Sequence, residues 1–569
     1  MYKQTGRLPV WELSSNETDC MIGYHAVSVI ADAYAKGIND FDAELAMQAM
    51  VDMSNLNNYR GLNSYRKNGF LEVEDESESV SKTLEYAYDD WCIAQFANAL
   101  GKDSLYKVYS SRAQSWKNIF NPETGFMQPR SNGGWQYNFD PKRVDNNFTE
   151  GNSWQYTFFV PQNIPAMIKL MGGADKFEKK MDELFSTSSK TTGREQADIT
   201  GLIGQYAHGN EPSHHMAYLY NYIGKPEKTK YRVKQILDDF YKPTPDGLIG
   251  NEDCGQMSAW YVMSSMGLYA VCPGNNYFDI GLPYFNNIKI NFEDGSTSAY
   301  TNKDELFKNT TVSYFAVTKK TAVKVNVLPT YEPIVISPVI YGASQVFSDS
   351  ILVEIKSLSS NTKIKFSCTD LGQSETAMRE YSKPFYIKSD KQIKAISESA
   401  LGNSNPSLAM FYKRPNNWEI NILSTYNAQY TAGGDKGIID GLCGDENWRK
   451  GRWQGYQNQN FECVIDLGKQ MDIAKLSAGF LQDTRAWILM PLEMEVSFSS
   501  DNVTFSNPLM IRNTIKDHDL VSQVKNFTLE FKQHARYVKV KAINYGKLPA
   551  WHEGAGGDAF IFIDEISIE

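Results

Sequence analysis

Residues 209–215, with the sequence GNEPSHH, hold the densest group of side chains in this chain that could transfer protons. Glu211 stands among three imidazoles, those of His208 and of two further histidines, in a chain that has only seven histidines. Pro212 fixes its own φ and disfavours the α conformation for Glu211, so we expect Glu211 in a stiff turn before a helix that begins near Ser213. A protonated carboxyl held in this way can donate a proton to a leaving group. Alternatively, the histidines cap a helix and Glu211 completes a surface turn.

Two adjacent carboxylates, Asp89 and Asp90, lie within a predicted helix. Neighbouring side chains on a helix point about 100° apart, so at most one of the two is readily solvated if the helix is buried. Glu17 and Asp19 precede another predicted helix, where Asp19 is either an N-terminal cap or part of a site. Both segments are therefore candidates for polar sites within the helical region.

Residues 150–155 combine an aromatic ring with hydrogen-bonding neighbours. Trp154 would offer a platform to the apolar face of a sugar, and Glu150 and Gln155 would bind its hydroxyl groups. The alternative is a buried tryptophan whose N–H has a partner within the protein.

Residues 251–256, with the sequence NEDCGQ, concentrate carboxylate and amide oxygens. Such oxygens are the ligands of hard cations, so the segment predicts a calcium site. The candidate ligands are Asn251, Glu252, Asp253 and Gln256, although their spacing is not that of an EF-hand loop. Alternatively, the acidic residues cap the following helix, whose dipole favours negative charge at that end. Both interpretations can hold together.

Composition narrows the possible partners of the chain. A length of 569 residues predicts two to four domains, and a net charge of −10 disfavours nucleic acid and anionic membrane surfaces. Aromatic residues make up 13% of the chain, as expected of a large core and also of surfaces that stack on sugars. The seven cysteines are scattered without a CxxC pair, so neither zinc nor a disulfide framework is indicated. We find no apolar run long enough to span a membrane and no signal peptide at the first residues.

The pattern of apolar residues changes near Pro273. Helices are expected near residues 20–36, 42–54, 81–100, 103–117, 161–172, 176–186, 213–223, 227–240 and 255–269. In the clearest of them, Ser81 would be the cap and Gly101 the stop. Later runs such as NNIKINFED, TAVKVNVLP and SILVEIKSL alternate in the manner of strands. The expected fold is therefore multidomain: helical at 1–275, a β segment at 276–332, and all-β sandwiches at 333–413 and 420–569.

From about residue 5 to 295 the chain resembles glycoside hydrolase family 92, the calcium-dependent, inverting exo-α-mannosidases of gut Bacteroidetes. The motifs that carry the resemblance include NETDCMIGYH, AYDDWCIAQ, FTEGNSWQYTFFVP, GQYAHGNEPSHH and GNEDCGQMSAWY. The resemblance implies an (α/α)6-toroid-like catalytic part, incomplete here, with Glu211 as the general acid and residues 251–256 at the calcium centre. The residues implied to bind the terminal mannose are Glu17, Asp19, Asp89, Asp90, Glu150, Trp154, Gln155, His214 and His215.

The mechanism implied by the resemblance is a single displacement. Glu211 would protonate the glycosidic oxygen while a carboxylate on the opposite face, about 6.5–9.5 Å away, activates water. In the family this base comes from the C-terminal sandwich of the catalytic domain, and Asp304 is the nearest match by order. Asp253 is the alternative.

The remaining residues resemble two further modules. Residues 333–413 look like the small sandwich at the C-terminus of bacterial chitobiases, and 420–569 like a discoidin-type, carbohydrate-binding jelly roll. By that resemblance Asp435, Asp440 and Glu565 would hold a structural calcium ion. The tryptophans that would meet a glycan, or else serve only in packing, are Trp448, Trp453 and Trp551.

The resemblance leaves alternatives for function. Family members carry an N-terminal sandwich that has no counterpart here, so the chain is expected to be N-terminally truncated. It would be an exo-α-mannosidase acting on the mannose-containing glycans of glycoproteins, N-glycans included, and periplasmic or secreted by analogy with the family. The alternative is a catalytically inactive remnant that only binds glycans, and a third is a scaffold with two adhesion modules.

Overall fold

The computed structural model describes residues 1–319 and 334–569. The chain forms two compact units: the first contains residues 1–339, 355–366 and 395–407, and the second contains 340–354, 367–394 and 408–569. The predicted strand TAVKVNVLP, and with it the end of the predicted β segment 276–332, lies outside the described residues. Within the part that the structure describes, no helix is both long and apolar enough to cross a membrane.

The first unit is mainly helical up to about residue 265. Its α-helices are Tyr2–Thr5, Ala26–Ala35, Ala43–Ser54, Leu62–Asn68, Ser79–Ala99, Asp103–Arg112, Ser153–Tyr156, Ile164–Leu170, Ala174–Ser186, Pro226–Phe240, Gln256–Ser265 and Tyr314–Thr318. Its 3-10 helices are Ser115–Ile119, Pro161–Asn163, Glu211–Ser213, Met216–Ile223 and Glu305–Lys308. The predicted helical region is thus observed.

The Ser79–Ala99 helix is the centre of this region. It packs against Ala26–Ala35, Ala43–Ser54 and Asp103–Arg112, and its residues from Ser79 to Ala97 are all buried. A helix buried on every side must satisfy its polar side chains inside the protein, which is why the carboxylates of this helix define the polar contacts described below.

The ends of this helix differ in part from the sequence prediction. The helix begins at Ser79, so Ser81 is not its cap; the Oγ of Ser81 instead accepts a hydrogen bond from the N–H of Thr149 (2.9 Å). Gly101 ends it as predicted, with φ 69° and an N–H that donates to the carbonyl of Asn98. Glycine is suited to this left-handed position.

Two other predicted helices begin later than expected. The first begins at Ala26, because Gly23 has a left-handed φ of 78° and a side chain there would collide with the ring of His25. The second is a 3-10 helix from Met216 to Ile223, and a separate 3-10 turn at Glu211–Ser213 precedes it. Glu211 is therefore the first residue of a turn rather than the residue before a helix.

Short antiparallel hairpins and one parallel pair connect the helices. The two-residue strands are Glu12–Leu13, Asn16–Glu17, Phe120–Asn121, Phe126–Met127, Arg130–Ser131, Gly134–Trp135, Arg143–Val144, Thr192–Gly193, Leu202–Ile203, Tyr206–Ala207 and Leu268–Tyr269. Longer strands follow at Tyr277–Ile280, Asn287–Asn291, Thr297–Thr301 and Thr311–Ser313. The Asn287–Asn291 strand confirms the strand predicted in NNIKINFED.

Residues 339–413 are strands and turns, as expected of a small all-β module. The strands are Val339–Tyr341, Val346–Phe347, Ile351–Lys356, Lys363–Asp370, Arg379–Glu380, Phe385–Ile387, Lys391–Ser399, Gly402–Asn403 and Ser407–Lys413. Because this stretch is divided between the two compact units, its boundaries as a separate domain stay a prediction.

The C-terminal part of the second unit, residues 419–568, is an all-β module. Its strands are Glu419–Ile422, Gln454–Gln457, Phe461–Gln482, Glu493–Ser499, Leu509–Arg512, Gln523–Ala542 and Phe560–Ile568. The long Phe461–Gln482 strand pairs antiparallel with Gln523–Ala542 and with Phe560–Ile568. Alternate residues such as Cys463 and Ile465 are buried, while Asp466 on the other face pairs with Arg536 at 2.8 Å. This alternation is that of a sheet with one face on a core.

Candidate active site

Close packing of two glycines brings the Glu211 loop against residues 250–256. The Leu202–Ile203 and Tyr206–Ala207 hairpin leads into the loop. A Cβ on Gly209 would overlap the Oγ1 of Thr200, and a Cβ on Gly250 would lie 3.0 Å from the Cα of Gly209. Only glycines allow these segments to approach so closely.

The carboxyl of Glu211 is held in a polar, half-buried position. Asn210 caps the turn through its Oδ1, which accepts from the Glu211 N–H (3.2 Å), and the carboxyl of Glu211 is hydrogen bonded to that of Asp253. Burial, followed by the charges of Asp253 and Glu150, raises the pKa of Glu211 to about 7. A carboxyl that keeps its proton near neutral pH is what a general acid requires.

The segment that carries Asp253 has an unusual backbone. Asp253, Cys254 and Gly255 follow one another with φ values of 49°, 55° and 99°. Left-handed conformations cost free energy for residues other than glycine, and such residues cluster at functional sites. Glu252 holds the segment, because its carboxylate accepts from the N–H groups of Gly255 and Ser258 at the start of the next helix. The cap predicted as an alternative for this segment is therefore present.

The other predicted calcium ligands also have partners. The amide of Asn251 donates to Asp198 (3.2 Å), and that of Gln256 donates to the Nδ1 of His214 (3.2 Å). These hydrogen bonds use the amide nitrogens, so the amide oxygens of Asn251 and Gln256 are available to a cation, as is the carboxylate of Asp253. The carboxylate of Glu252, in contrast, already caps the next helix. Among the described residues, no group of three or more His, Cys, Asp or Glu side chains has the arrangement of a metal site. A calcium ion would therefore depend on amide, backbone and water oxygens as well.

The histidines of the motif hold the turn in place. The Nε2 of His214 donates to the carbonyl of His208 (2.8 Å), and that of His215 donates to the carbonyl of Phe158 (2.8 Å). Burial lowers the pKa of both His214 and His215 to about 4, so these rings are neutral. His208 lies between two tyrosine hydroxyls, that of Tyr206 at 2.8 Å from its Nδ1 and that of Tyr241 at 2.7 Å from its Nε2. In this structure the rings are buried supports of the loop.

Glu150 belongs to the same group of carboxyls, whereas Trp154 and Gln155 do not. Asn210 donates to the carboxylate of Glu150 (3.3 Å), and burial with the neighbouring Asp198 raises the pKa of Glu150. Trp154 is buried in the core with Phe126 edge-on at 4.6 Å, which leaves no open ring face for a sugar. Gln155 is used in a capping box, where its Oε1 accepts from the N–H of Asn152 (3.0 Å).

The adjacent carboxylates Asp89 and Asp90 point to different partners, as their helical spacing predicts. Asp90 accepts from the hydroxyls of Tyr24 and Tyr65 (both 2.9 Å) and pairs with Arg112 through two nitrogens (both 2.9 Å). Burial raises the pKa of Asp90 to about 6 even with this arginine beside it. Asp90 is therefore a buried structural anion.

Asp89 is part of a triad that the sequence did not reveal. Its carboxylate is 2.7 Å from the Nδ1 of His25, whose Nε2 is 2.6 Å from Glu85. Burial lowers the pKa of His25, but the two carboxylates outweigh it and raise that pKa well above its ordinary value. Two features of the sequence could have indicated this triad. His25 ends the GYH motif, and Glu85 lies four residues before Asp89, which places both carboxylates on the same face of the helix.

Glu17 and Asp19 stabilise the N-terminal segment. Glu17 accepts three backbone hydrogen bonds, among them those from Val10 (2.7 Å) and Asp19 (2.7 Å). Asp19 does not cap the following helix, which begins only at Ala26; its carboxylate instead accepts from Arg7 (2.9 Å) and Tyr59 (2.6 Å). The cap interpretation of Asp19 is thus wrong, because the left-handed Gly23 separates the residue from the helix.

The two candidates for the base differ in their surroundings. Asp304 accepts from the N–H and the hydroxyl of Thr301 (3.0 and 2.8 Å), within its own turn. Asp253 is hydrogen bonded to Glu211, which is too close for a base that must act across the sugar ring. This contact favours Asp304 over Asp253, and the assignment of the base stays a prediction.

In the C-terminal module two of the three predicted calcium ligands meet. The N–H of Asp440 donates to the carboxylate of Glu565 (3.1 Å), and burial, with the charges of Asp440 and Asp564, raises the pKa of Glu565 to about 8. Asp435 instead accepts from the hydroxyl of Tyr426 (2.9 Å). Asp564, which the sequence analysis missed, comes directly before Glu565 in a buried strand.

The predicted glycan-binding tryptophans of this module differ in exposure. Trp448 and Trp453 are buried, whereas Trp551 is 47% exposed. A further ring, Trp487, is 37% exposed and has a left-handed φ of 65°. Its other side lies against Gly554, where a Cβ would come within 2.6 Å of the indole. Trp551 and Trp487 are therefore the rings open to a ligand.

The comparisons with known proteins concern mainly the first unit. Residues 1–328 match the model of the glycosyl hydrolase family 92 catalytic domain. The chain is 41% identical to a family GH92 α-mannosidase from Bacteroides thetaiotaomicron solved with mannoimidazole, covering 54% of this chain and 44% of that one with a TM-score of 0.51. An inverting family GH92 mannosidase of the same organism is 33% identical, with coverages of 56% and 47% and a TM-score of 0.50.

A curated relative, an uncharacterized secreted glycosidase of Arthroderma benhamiae, is 30% identical over 330 residues. The match covers 51% of this chain and 40% of that protein, so the chain spans about two-fifths of its length.

Near the C-terminus there is a likeness to a carbohydrate-binding module of Clostridium perfringens in complex with GalNAc-β-1,3-galactose. It has 21% identity, coverages of 27% and 94%, and a TM-score of 0.18. A likeness at this level says nothing of what the C-terminal module binds.

The match to the family 92 catalytic domain, in contrast, extends over more than half of the chain and includes the Glu211 loop and residues 250–256. The chain belongs to glycosyl hydrolase family 92.

Proposed function

We propose that the first unit is the catalytic part of an α-mannosidase that removes terminal mannose with inversion. The observation that carries the proposal is the carboxyl of Glu211, which is hydrogen bonded to Asp253 and has a pKa raised to about 7. The names of the two Bacteroides relatives, an α-mannosidase and an inverting mannosidase, support this substrate and stereochemistry.

In the proposed reaction Glu211 is the general acid. Its protonated carboxyl donates to the glycosidic oxygen as the bond to the mannose carbon breaks. The Asn210 cap, the neutral rings of His214 and His215 and the close packing at Gly209 keep the acid in one position. Such positioning is part of what a general acid contributes to the rate.

The base of the proposed reaction is Asp304, which would take a proton from the attacking water on the other face of the sugar. An inverting enzyme needs a separation of about 6.5–9.5 Å between acid and base, to leave room for that water. Asp253, in contact with Glu211, is proposed instead as the neighbour that keeps the acid protonated.

We propose calcium as the metal of this site, held by the amide oxygens of Asn251 and Gln256 together with backbone and water oxygens. The concentration of oxygen ligands beside the acid supports calcium rather than a softer metal. When bound, the ion would polarise hydroxyl groups of the sugar as a Lewis acid. We propose a second, structural calcium ion in the C-terminal module, at Asp440 and Glu565.

The proposed substrates are the mannose-terminated glycans of glycoproteins, N-glycans included, met outside the cytoplasm. A secreted relative supports this location. Exo action is part of this proposal, and it is supported by the buried residues Asn210 and His214, which precede and follow the turn that carries Glu211. A closed end of this kind admits the end of a glycan chain rather than its middle.

The experiment is to measure mannose release from a panel of α-mannobioses, first with added calcium and then with a chelator. Glu211→Gln should lower release by at least about a hundredfold, whereas the exposed Glu227→Gln should not change it. Release of α-mannose in the first instant by the folded wild-type chain, detected by NMR, would contradict inversion, since an inverting enzyme gives β-mannose. No release from folded protein would overturn the enzyme proposal and leave the alternative, a protein that only binds glycans.

A second function, glycan binding by the C-terminal module, is supported by its exposed rings. Trp551 lies beside His518 (centroids 6.2 Å apart) and beside His552, which also contacts Trp487. Trp487 has a left-handed φ, and its ring packs directly on Gly554 and Gly557. A Cβ at either glycine would collide with the ring. We propose that this aromatic surface holds the enzyme on its glycan substrate.

A further inference from the structure

A cleft of about 510 Å³ runs along one loop of the first unit. Its volume falls in the range of about 300–1,000 Å³ that is usual for small-molecule sites. Its lining combines polar and apolar side chains, namely Thr191, Glu195, Gln196, Ala197, Ile199 and Leu202. Such a lining suits a sugar, which has hydroxyl groups at its edge and C–H groups on its faces.

Both ends of the cleft loop are tied to regular structure. Thr192 and Gly193 pair with Arg143 and Val144, and Leu202 begins the hairpin that leads to the Glu211 loop. The lining residues between these anchors therefore have a defined position beside the candidate active site.

Hydrogen bonds join the cleft loop to the two segments on which the candidate acid and its neighbour Asp253 lie. The carboxylate of Asp198 accepts from the amide of Gln196, a lining residue, and from the amide of Asn251 (3.2 Å). Two residues after Asp198, the carbonyl of Thr200 accepts from the N–H of Gly209 (3.1 Å), which is two residues before the acid. The cleft loop is thus hydrogen bonded to both segments that surround the acid, residues 250–256 and the Glu211 loop.

The position beside the acid indicates which part of a substrate the cleft would take. A general acid lies between the sugar that is released and the leaving group, because it protonates the oxygen that joins them. The leaving group of a glycan continues into a longer chain and needs an open site. The cleft is open, since Glu195 and Ala197 are exposed, whereas Asn210, Ser213 and His214 around the acid are buried.

We propose that this cleft binds the leaving-group sugar, that Gln196 and Glu195 hydrogen bond its hydroxyl groups, and that the loop thereby determines which mannosidic linkages are cleaved. This inference rests on the proposed mannosidase function. Gln196 is the better placed of the two, because its contact with Asp198 fixes one amide N–H and leaves the amide oxygen for the sugar.

The test compares two substrates that differ only in the leaving group. An α-mannobiose fills both sites, whereas α-mannosyl fluoride has a leaving group too small to reach the cleft. We expect Gln196→Ala and Glu195→Ala each to lower kcat/KM for the mannobiose by about tenfold, as for the loss of a substrate hydrogen bond, and to leave the fluoride within about twofold. The order of preference among α-1,2-, α-1,3- and α-1,6-mannobiose should also change.

The matched control is Glu123→Ala, an exposed loop glutamate of the same unit that does not line the cleft. It should leave both substrates unchanged. Equal losses on both substrates in the cleft variants would show a merely structural role, and no loss on either would show that the cleft is unused; either result overturns the inference. If the wild-type chain hydrolyses neither substrate, the proposed function itself fails, and the inference fails with it.

Discussion

The carboxyl group of Glu211 is hydrogen bonded to that of Asp253, and its pKa of about 7 leaves a proton on Glu211. Two carboxylates in contact cannot both be ionised without strong repulsion. The proton that this pair retains is the one that the proposed reaction transfers.

Replacing Glu211 with glutamine removes the transferable proton and preserves the size of the side chain. We expect mannose release from α-mannobioses to fall by about 10²–10⁴-fold, the usual contribution of a positioned acid. The rate on α-mannosyl fluoride should fall far less, because fluoride leaves without a proton. The measurement is kcat for both substrates, and equal losses on the two would argue against Glu211 as the acid.

The contact between Gly209 and Thr200 predicts a loss with a specific rescue. Gly209→Ala places a methyl group on the Oγ1 of Thr200, which displaces the loop that carries the acid. We expect activity to fall at least about tenfold, since small displacements of catalytic groups are costly. Thr200→Ala should be close to wild type alone and should restore part of the activity in the double variant. A double variant no better than Gly209→Ala would contradict the proposed overlap.

The buried ion pair of Asp90 and Arg112 predicts a large effect on stability. Arg112→Met leaves the Asp90 carboxylate buried without its cation, which costs about 3–5 kcal/mol of unfolding free energy. Urea denaturation measures this loss. As the control, Lys234→Met breaks the exposed pair with Asp238 and should leave the midpoint nearly unchanged. A small effect of Arg112→Met would mean that Asp90 is neutral in the folded state.

Asp279 predicts that the stability of the first unit depends on pH. Burial raises the pKa of Asp279 to about 8, so the folded state keeps a proton that the unfolded chain loses near its ordinary pKa of 3.8. The contribution of Asp279 to the free energy of unfolding is therefore fully present below pH 3.8, the pKa of this group in the unfolded chain. It is lost as the pH rises towards 8, and the whole change is on the order of 5 kcal/mol.

Asp279→Asn should remove this part of the dependence. Unfolding free energies at pH 5, 7 and 8.5 should therefore fall more steeply in the wild type than in the variant. Parallel pH profiles for the two proteins would rule out the role of Asp279.

The exposed rings of the C-terminal module predict a loss of glycan binding without a loss of catalysis. Trp551→Ala and Trp487→Ala should each weaken binding to a mannan by about tenfold, as expected for a ring in contact with its ligand. Mannose release from a soluble mannobiose should not change. Tyr386→Ala, which removes an exposed ring elsewhere in the second unit, is the control for affinity electrophoresis. Undiminished binding by both tryptophan variants would place the glycan elsewhere.

Helices and strands with clear periodicity were predictable from the sequence. The Ser79–Ala99 helix, its stop at Gly101 and the strand at Asn287–Asn291 follow from local patterns of apolar residues. The start of the Ala26–Ala35 helix was not predictable in this way, because it depends on the left-handed Gly23 and on the ring of His25 packed against it.

The candidate site was predictable as a set of motifs but not as an arrangement. The composition of residues 251–256 indicated both a cap and a cation site, and the structure assigns the cap to Glu252. Nothing local distinguishes the buried ring of Trp154 from the exposed ring of Trp551, because burial is decided by elements distant in sequence. The triad of His25, Glu85 and Asp89 was missed for the same reason.

The Ser79–Ala99 helix has no face left for water, because its neighbours from Ala26 to Arg112 enclose it. Such a helix gains its stability from tertiary packing, so it cannot persist while those neighbours are detached. Its amide protons can exchange with solvent only when the surrounding helices open together. Hydrogen exchange along this helix therefore reports the cooperative unfolding of the whole helical region, and its amides are among the slowest in the first unit.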